Sequence, residues 1–124
     1  MSKSVEADRE IHDSCQVLHT TWNEMTRTWT LPTIHALGQR EPARFNELKR
    51  RIHGISATSL AERLAQLEKF GVLQRKVIAE EHPRIEYSLT DKGHELYGIL
   101  CNLAHWSQRW EGKEPNAKGV MVPQ

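Results

Sequence analysis

The chain has 124 residues, 38% of them hydrophobic and 27% charged, and a formal net charge of +1. This balance fits one globular domain with a single modest core and excludes a disordered polyelectrolyte. No apolar run approaches the roughly 18 residues of a membrane span, the acidic start (Glu6, Asp8, Glu10) is unlike a signal peptide, and two widely separated cysteines do not form a secreted disulfide framework, so a cytoplasmic location is expected.

Residues 1–8 are polar and are expected to be a flexible terminus, followed by one domain over 9–112 and a flexible, aperiodic tail over 113–124. The first helix carries Ile11, Cys15, Leu18, Trp22 and Met25 in steps of four and three, a continuous apolar stripe that needs a partner. Pro32 is best placed in a first helical turn, so a second helix is expected from Thr30 to Leu37, ended by Gly38. Arg44 to Ile52 reads as a short helix with Phe45, Leu48 and Ile52 inward. A break at Gly54 and an N-cap at Ser56 then open a longer helix from Ala57 to about Phe70. Its Leu60, Leu64, Leu67 and Phe70 share the docking face; Thr58, Ser59, Glu62, Arg63, Gln66 and Lys69 share the other, and Gly71 is its C-cap.

Val72 to Glu81 and Ile85 to Leu89 read as two strands joined at Glu81-His82-Pro83-Arg84. Thr90 caps a last helix with Leu96, Ile99, Leu100, Leu103, Trp106 and Trp110 on a broad apolar face, stopped by Gly112. Helix, glycine turn, helix and hairpin in this order predict a mainly α fold with a small β-wing, a winged helix-turn-helix.

Between Arg44 and Arg84 nine basic residues face five acidic ones, a local +4 that leaves the remainder at −3. A basic middle between acidic ends fits a segment that meets a polyanion as well as it fits an ordinary solvated surface, and the helix, turn, helix and wing order makes double-stranded DNA the expected partner. The first turns of a recognition helix enter the major groove, which makes Ser56, Thr58, Ser59, Arg63 and Gln66 the candidate readers. Glu62 there tolerates only a cytosine amino group or solvent. Lys49, Arg50 and Arg51 are candidate backbone clamps, and Arg84, with His82, is a candidate minor-groove contact at the wing tip. The competing reading is a winged-helix protein-interaction module whose helix face meets another protein instead of DNA.

The run FNELKRRIHGIS, the helix SLAERLAQLEKFGVLQR and the block PRIEYSLTDKG occur in the order typical of the HxlR family of winged helix-turn-helix transcription regulators, and residues 15 to 110 resemble it. The resemblance implies a homodimeric DNA-binding regulator whose first and last helices are dimerisation helices. It further implies recognition helices about 34 to 36 Å apart on a pseudo-palindromic site. The chain departs from the family where Gln16 replaces a proline after Cys15, where Thr26-Arg27-Thr28-Trp29-Thr30 replaces a Gly-Gly-Lys-Trp-Thr block, and where Thr58 replaces a frequent lysine.

Cys15 and His19 on the first helix, and Cys101 and His105 on the last, are each four apart and share a face. Three readings stand open. The thiols fill apolar slots; or Cys15, with Cys101, is a redox or electrophile sensor, as the family resemblance implies; or the two pairs, near His12, converge on a metal across a dimer. No catalytic triad, HExxH arrangement or glycine-rich phosphate loop is present, so neither an enzyme nor a cofactor is expected, and no effector is named by the sequence.

Overall fold

A computed structural model describes residues 2–112, with side-chain environments from position 14 onward. The elements run α1 (Ser2–Met25), α2 (Thr30–Gln39), α3 (Phe45–Arg51), α4 (Ala57–Lys69), β1 (Leu73–Ile78), β2 (Arg84–Leu89) and α5 (Asp91–Trp110). Helix α1 therefore begins at Ser2, ahead of the start expected after residue 8. The expected tail over 113–124 and the side chains of Ile11 and His12 lie outside the described residues.

The core follows the apolar spacing. Ile34 and Leu37 of α2, Leu48 of α3, Leu60, Leu64 and Leu67 of α4, and Val72, Leu73 and Leu89 at the base of the wing are buried together. Leucines spaced three and four apart give α4 one docking stripe, and burying it is what commits the short helices to this arrangement. Ile52 and Ile55 bury the turn between α3 and α4, around Gly54 at φ +90°. That left-handed backbone is where a residue without Cβ is needed.

Two caps set the length of α4. The Ser56 hydroxyl accepts the Ser59 amide at 3.0 Å. At the far end Gly71 turns left-handed at φ +86°, the Val72 amide reaches back to the Leu67 carbonyl at 2.9 Å and the Gly71 amide to Glu68 at 3.0 Å. These paired bonds are a Schellman ending. Gly38, by contrast, does not end α2 as expected. It lies within the helix, where the Tyr97 ring of α5 occupies the space a Cβ would take, and α2 continues to Gln39.

The strands pair antiparallel with Leu73 opposite Leu89 and Ile78 opposite Arg84. Ala43 bridges Tyr87 through two backbone hydrogen bonds, so the segment before α3 joins the sheet edge. Glu41 strengthens the junction: one carboxylate oxygen accepts the Leu89 amide at 2.7 Å and the other lies 2.8 Å from His94 Nε2. Thr90 caps α5 by accepting the Gly93 amide, while Lys92 donates to the Phe70 carbonyl at 2.6 Å and sits over the Phe70 ring. The wing, the end of α4 and the start of α5 are thus one tied unit. Among the described residues no helix is long and apolar enough to cross a membrane.

Candidate nucleic-acid interface

The two helices that frame the interface are α3 and α4. Helix α4 buries its leucines and turns Ala57, Thr58, Ala61, Glu62, Ala65, Glu68 and Lys69 to solvent. Thr58 is exposed there, and Ser56 is exposed at the helix start although its oxygen is engaged as the cap. Ser59 is half-buried.

Two expected readers are placed differently. The Arg63 side chain is only 13% exposed, 3.8 Å from Glu62, and lies against the α1–α2 connection rather than outward. Gln66 is half-buried, with its Oε1 enclosed and without a hydrogen-bond partner. At about 100° per residue Arg63 stands about 60° from Leu60, beside the leucine stripe, and Gln66 about 120° from it, on the same flank as half-buried Ser59. Besides Thr58, Glu62 and Lys69, the solvent face carries Ala57, Ala61 and Ala65, whose i, i+4, i+8 spacing is visible in the sequence although small residues give it no chemical signal. Methyl groups at these positions suit contact with thymine methyls.

On α3, Lys49 and Arg50 are exposed as expected for backbone clamps. Arg51 is not. Its Nη1 donates to the Arg40 carbonyl at 2.9 Å and the Ala36 carbonyl at 3.2 Å, so the guanidinium closes the C-terminal end of α2, where positive charge complements the helix dipole. At the α3 start, Glu47 accepts the Arg44 amide at 2.9 Å, and that hydrogen bond, ahead of nearby arginine charge, holds the carboxyl below the usual glutamate range.

The wing departs from expectation in its charge. Arg84 does not stand at the tip but opens β2, half-buried, 2.9 Å from Glu86 and 3.9 Å from Glu80, with Nη1 on the His82 carbonyl. Its charge is spent on the wing itself. The tip carries exposed Glu80, Glu81 and His82, and the exposed cations of the strands are Arg75 and Lys76.

A second surface lies on the long helices. Val17, Leu18 and Trp22 of α1, and Ile99, Leu103, Trp106 and Trp110 of α5, are exposed, Trp22 and Trp110 by 63% and 61%. The α5 residues are spaced four, three and four, so they form one stripe, separate from Leu96, Tyr97 and Leu100, which pack on the core. Cys15 is exposed on the α1 stripe, whereas Cys101 is half-buried beside Tyr97, whose phenol is pushed up by burial and by the neighbouring thiol. The Cys15/His19 and Cys101/His105 pairs lie on separate helices. Among the described residues no group of three or more His, Cys, Asp or Glu side chains is close enough to hold a metal ion.

Comparison with known proteins gives consistent results. The model of the HxlR-like helix-turn-helix family matches residues 24–115. An uncharacterized HTH-type transcriptional regulator of Halalkalibacterium halodurans is 41% identical over 78 residues, 63% of this chain and 69% of that protein. The HTH-type transcriptional regulator YodB of Bacillus subtilis is 30% identical over 96 residues, 77% of this chain and 85% of its own length. The solved reduced form of YodB superposes with a TM-score of 0.66 over 74% of this chain and 89% of that one, and the quinone-bound form with 0.65 over 77% and 100%, at 30% and 29% identity.

Proposed function

The chain belongs to the HxlR-like helix-turn-helix family of transcription regulators, and from that premise we propose that it binds a pseudo-palindromic DNA site as a homodimer. The observation that carries the reading is the pairing of two surfaces on one chain. A recognition helix presents Thr58, Ala61 and Glu62 beside the cations Lys49 and Arg50, and two long helices present an unburied tryptophan-rich stripe.

The stripe of Ile99, Leu103, Trp106 and Trp110 on α5, with Leu18 and Trp22 exposed on α1, is more than the scattered single apolar residues of a monomer surface. A second copy covering it makes the interface isologous, so two recognition helices face successive major grooves. Lys49, Arg50, Arg75 and Lys76 hold the duplex backbone, Thr58 and the exposed alanines read base edges, and Glu62 accepts from a cytosine amino group. Arg51 and Arg84 are outside this set, because their guanidiniums are engaged within the protein. The test is binding to duplexes from the protein's own genome. Strong preference for one inverted repeat over a scrambled duplex is the expected outcome, and equal weak binding to both is the contrary one.

Cys15 is the signal-receiving group in this reading. YodB has been solved in reduced, diamide-treated and quinone-bound forms, and the exposed Cys15 thiol sits on the α1 stripe that the second copy covers. An oxidant or electrophile that modifies the thiol there alters the fit of the two subunits and hence the spacing of the recognition helices. Cys15→Ser is expected to keep DNA binding while losing its release by quinone; unchanged quinone release in the variant would rule Cys15 out.

A further inference from the structure

A cleft of about 300 Å³ flanks the first half of α4, walled by Arg27, Thr28 and Trp29 of the α1–α2 connection and by Ser59, Glu62 and Arg63. We infer that this cleft is a seat for the DNA sugar-phosphate backbone, with Arg27 as its principal cation. The inference rests on the DNA-binding reading and extends it to a part of the chain outside the helix-turn-helix.

The argument begins with dimensions. A helix with its side chains is about 10–12 Å across and the major groove is about 12 Å wide, so a seated recognition helix leaves no gap at its flanks. Whatever lies immediately beside it meets the phosphates that border the groove. Beside α4 here lie Arg27 and Thr28.

The chemistry of the cleft suits that neighbour. Two guanidiniums and two hydroxyl side chains line it against one carboxylate, and the Glu62 side chain is 63% exposed, directed to solvent, whereas the Arg63 side chain lies inward. Guanidinium forks and hydroxyl donors are the groups that bind phosphate oxygens. Arg27 is exposed over 45% of its side chain and, among the described residues, is paired with Glu24 at 3.7 Å, a surface pairing it can exchange for a phosphate.

The position of Arg27 is fixed by an unusual backbone. Trp29, two residues on, has φ +73°, a left-handed conformation that a bulky residue rarely adopts. It places the indole against the helix-turn-helix turn, where Trp29 Cη2 is 3.6 Å from where a Cβ on Gly54 would be. Strain of this kind persists where the surroundings hold it and accumulates at binding sites. The connection is thereby clamped to the reading head, and a rigid mount for Arg27 is the consequence.

Arg27→Gln, Arg27→Lys and the wild type should be titrated with a duplex bearing the preferred site and with a random duplex across a salt series. Two phosphate contacts per dimer at about 0.9 each predict a slope of log K against log salt smaller by about 1.8 in Arg27→Gln, equally on both duplexes, and a wild-type slope in Arg27→Lys. Thermal melting of Arg27→Gln at the wild-type temperature excludes a folding defect. A wild-type slope in Arg27→Gln overturns this inference alone. A wild type whose binding ignores salt overturns the DNA-binding reading as well.

Discussion

Replacing Leu103 and Trp106 together by glutamate is expected to yield a folded monomer whose affinity for a two-half-site duplex is lower by at least about a hundredfold. Both side chains stand half out of the chain on the α5 stripe, while the residues that anchor α5 to the core, Leu96, Tyr97 and Leu100, are untouched. Two carboxylates per subunit in an apolar interface have no partner and a large desolvation cost, so the dimer dissociates. Once one half-site is occupied in a dimer, the second recognition helix binds at an effective concentration in the millimolar range, and coupling of this kind raises affinity by about 10² to 10⁴. A monomer loses that gain but keeps its half-site contacts. Sedimentation equilibrium and anisotropy on full and half sites check both parts. A persistent dimer, or a monomer with wild-type affinity for the full site, would contradict the assignment of this stripe.

The largest stability effect is expected at Gly93, the third residue of α5. A Cβ there would collide with the Val72 carbonyl oxygen and lie 3.0 Å from its carbon and 3.1 Å from Leu89 Cβ. The Val72 carbonyl cannot withdraw, since it also accepts the Thr90 amide at 3.0 Å and the Thr90 hydroxyl at 3.2 Å, and the Val72 amide is itself fixed in the α4 ending. Gly93→Ala should therefore cost about 3 kcal/mol, a fall in melting temperature of roughly 10 °C or more. Gly98, in the same helix, has nothing within 4 Å of its would-be Cβ, and Gly98→Ala should stabilise by about 0.5–1 kcal/mol through helix propensity. Thermal melts of the two variants should move in opposite directions. Equal melting of Gly93→Ala and wild type would show that α5 and the wing are not locked as described.

These effects trace how far the sequence could be read. The leucines of α4 announced both the helix and its buried face, because a 3.6-residue period and a cap at Ser56 leave little alternative. The same periodicity could not place Gln66, Arg63 or Arg51. All three sit near the boundary between faces, and the carbonyls of Ala36 and Arg40 that capture Arg51 lie 11 to 15 residues away in the chain. Arg84 was legible as part of the hairpin, and its neutralising partners are local too: Glu86, two residues on along β2, shares its side of the strand, and Glu80 lies four residues before it, so the period-2 alternation that defines the strand also carries this ion pair. Gly38 read as a helix stop because a glycine's usual work is to end helices. Its actual work is to admit the Tyr97 ring, a contact between α2 and α5 that local sequence does not encode. The exposed stripes on α1 and α5 were legible as apolar faces in want of a partner, and the structure leaves them unburied within the chain.

The most direct test of the account is fluorescence anisotropy of the full-length protein on an inverted repeat from its own genome, against a scrambled duplex, over a salt series. With Lys49, Arg50, Arg75, Lys76 and Arg27 of both subunits on the backbone, about ten phosphates are neutralised and log K should fall with log salt at a slope near −9, while the inverted repeat should keep a preference of at least about 10³. Weak binding that ignores salt and does not distinguish the two duplexes would contradict the account, and would turn attention to a protein partner for the same helix.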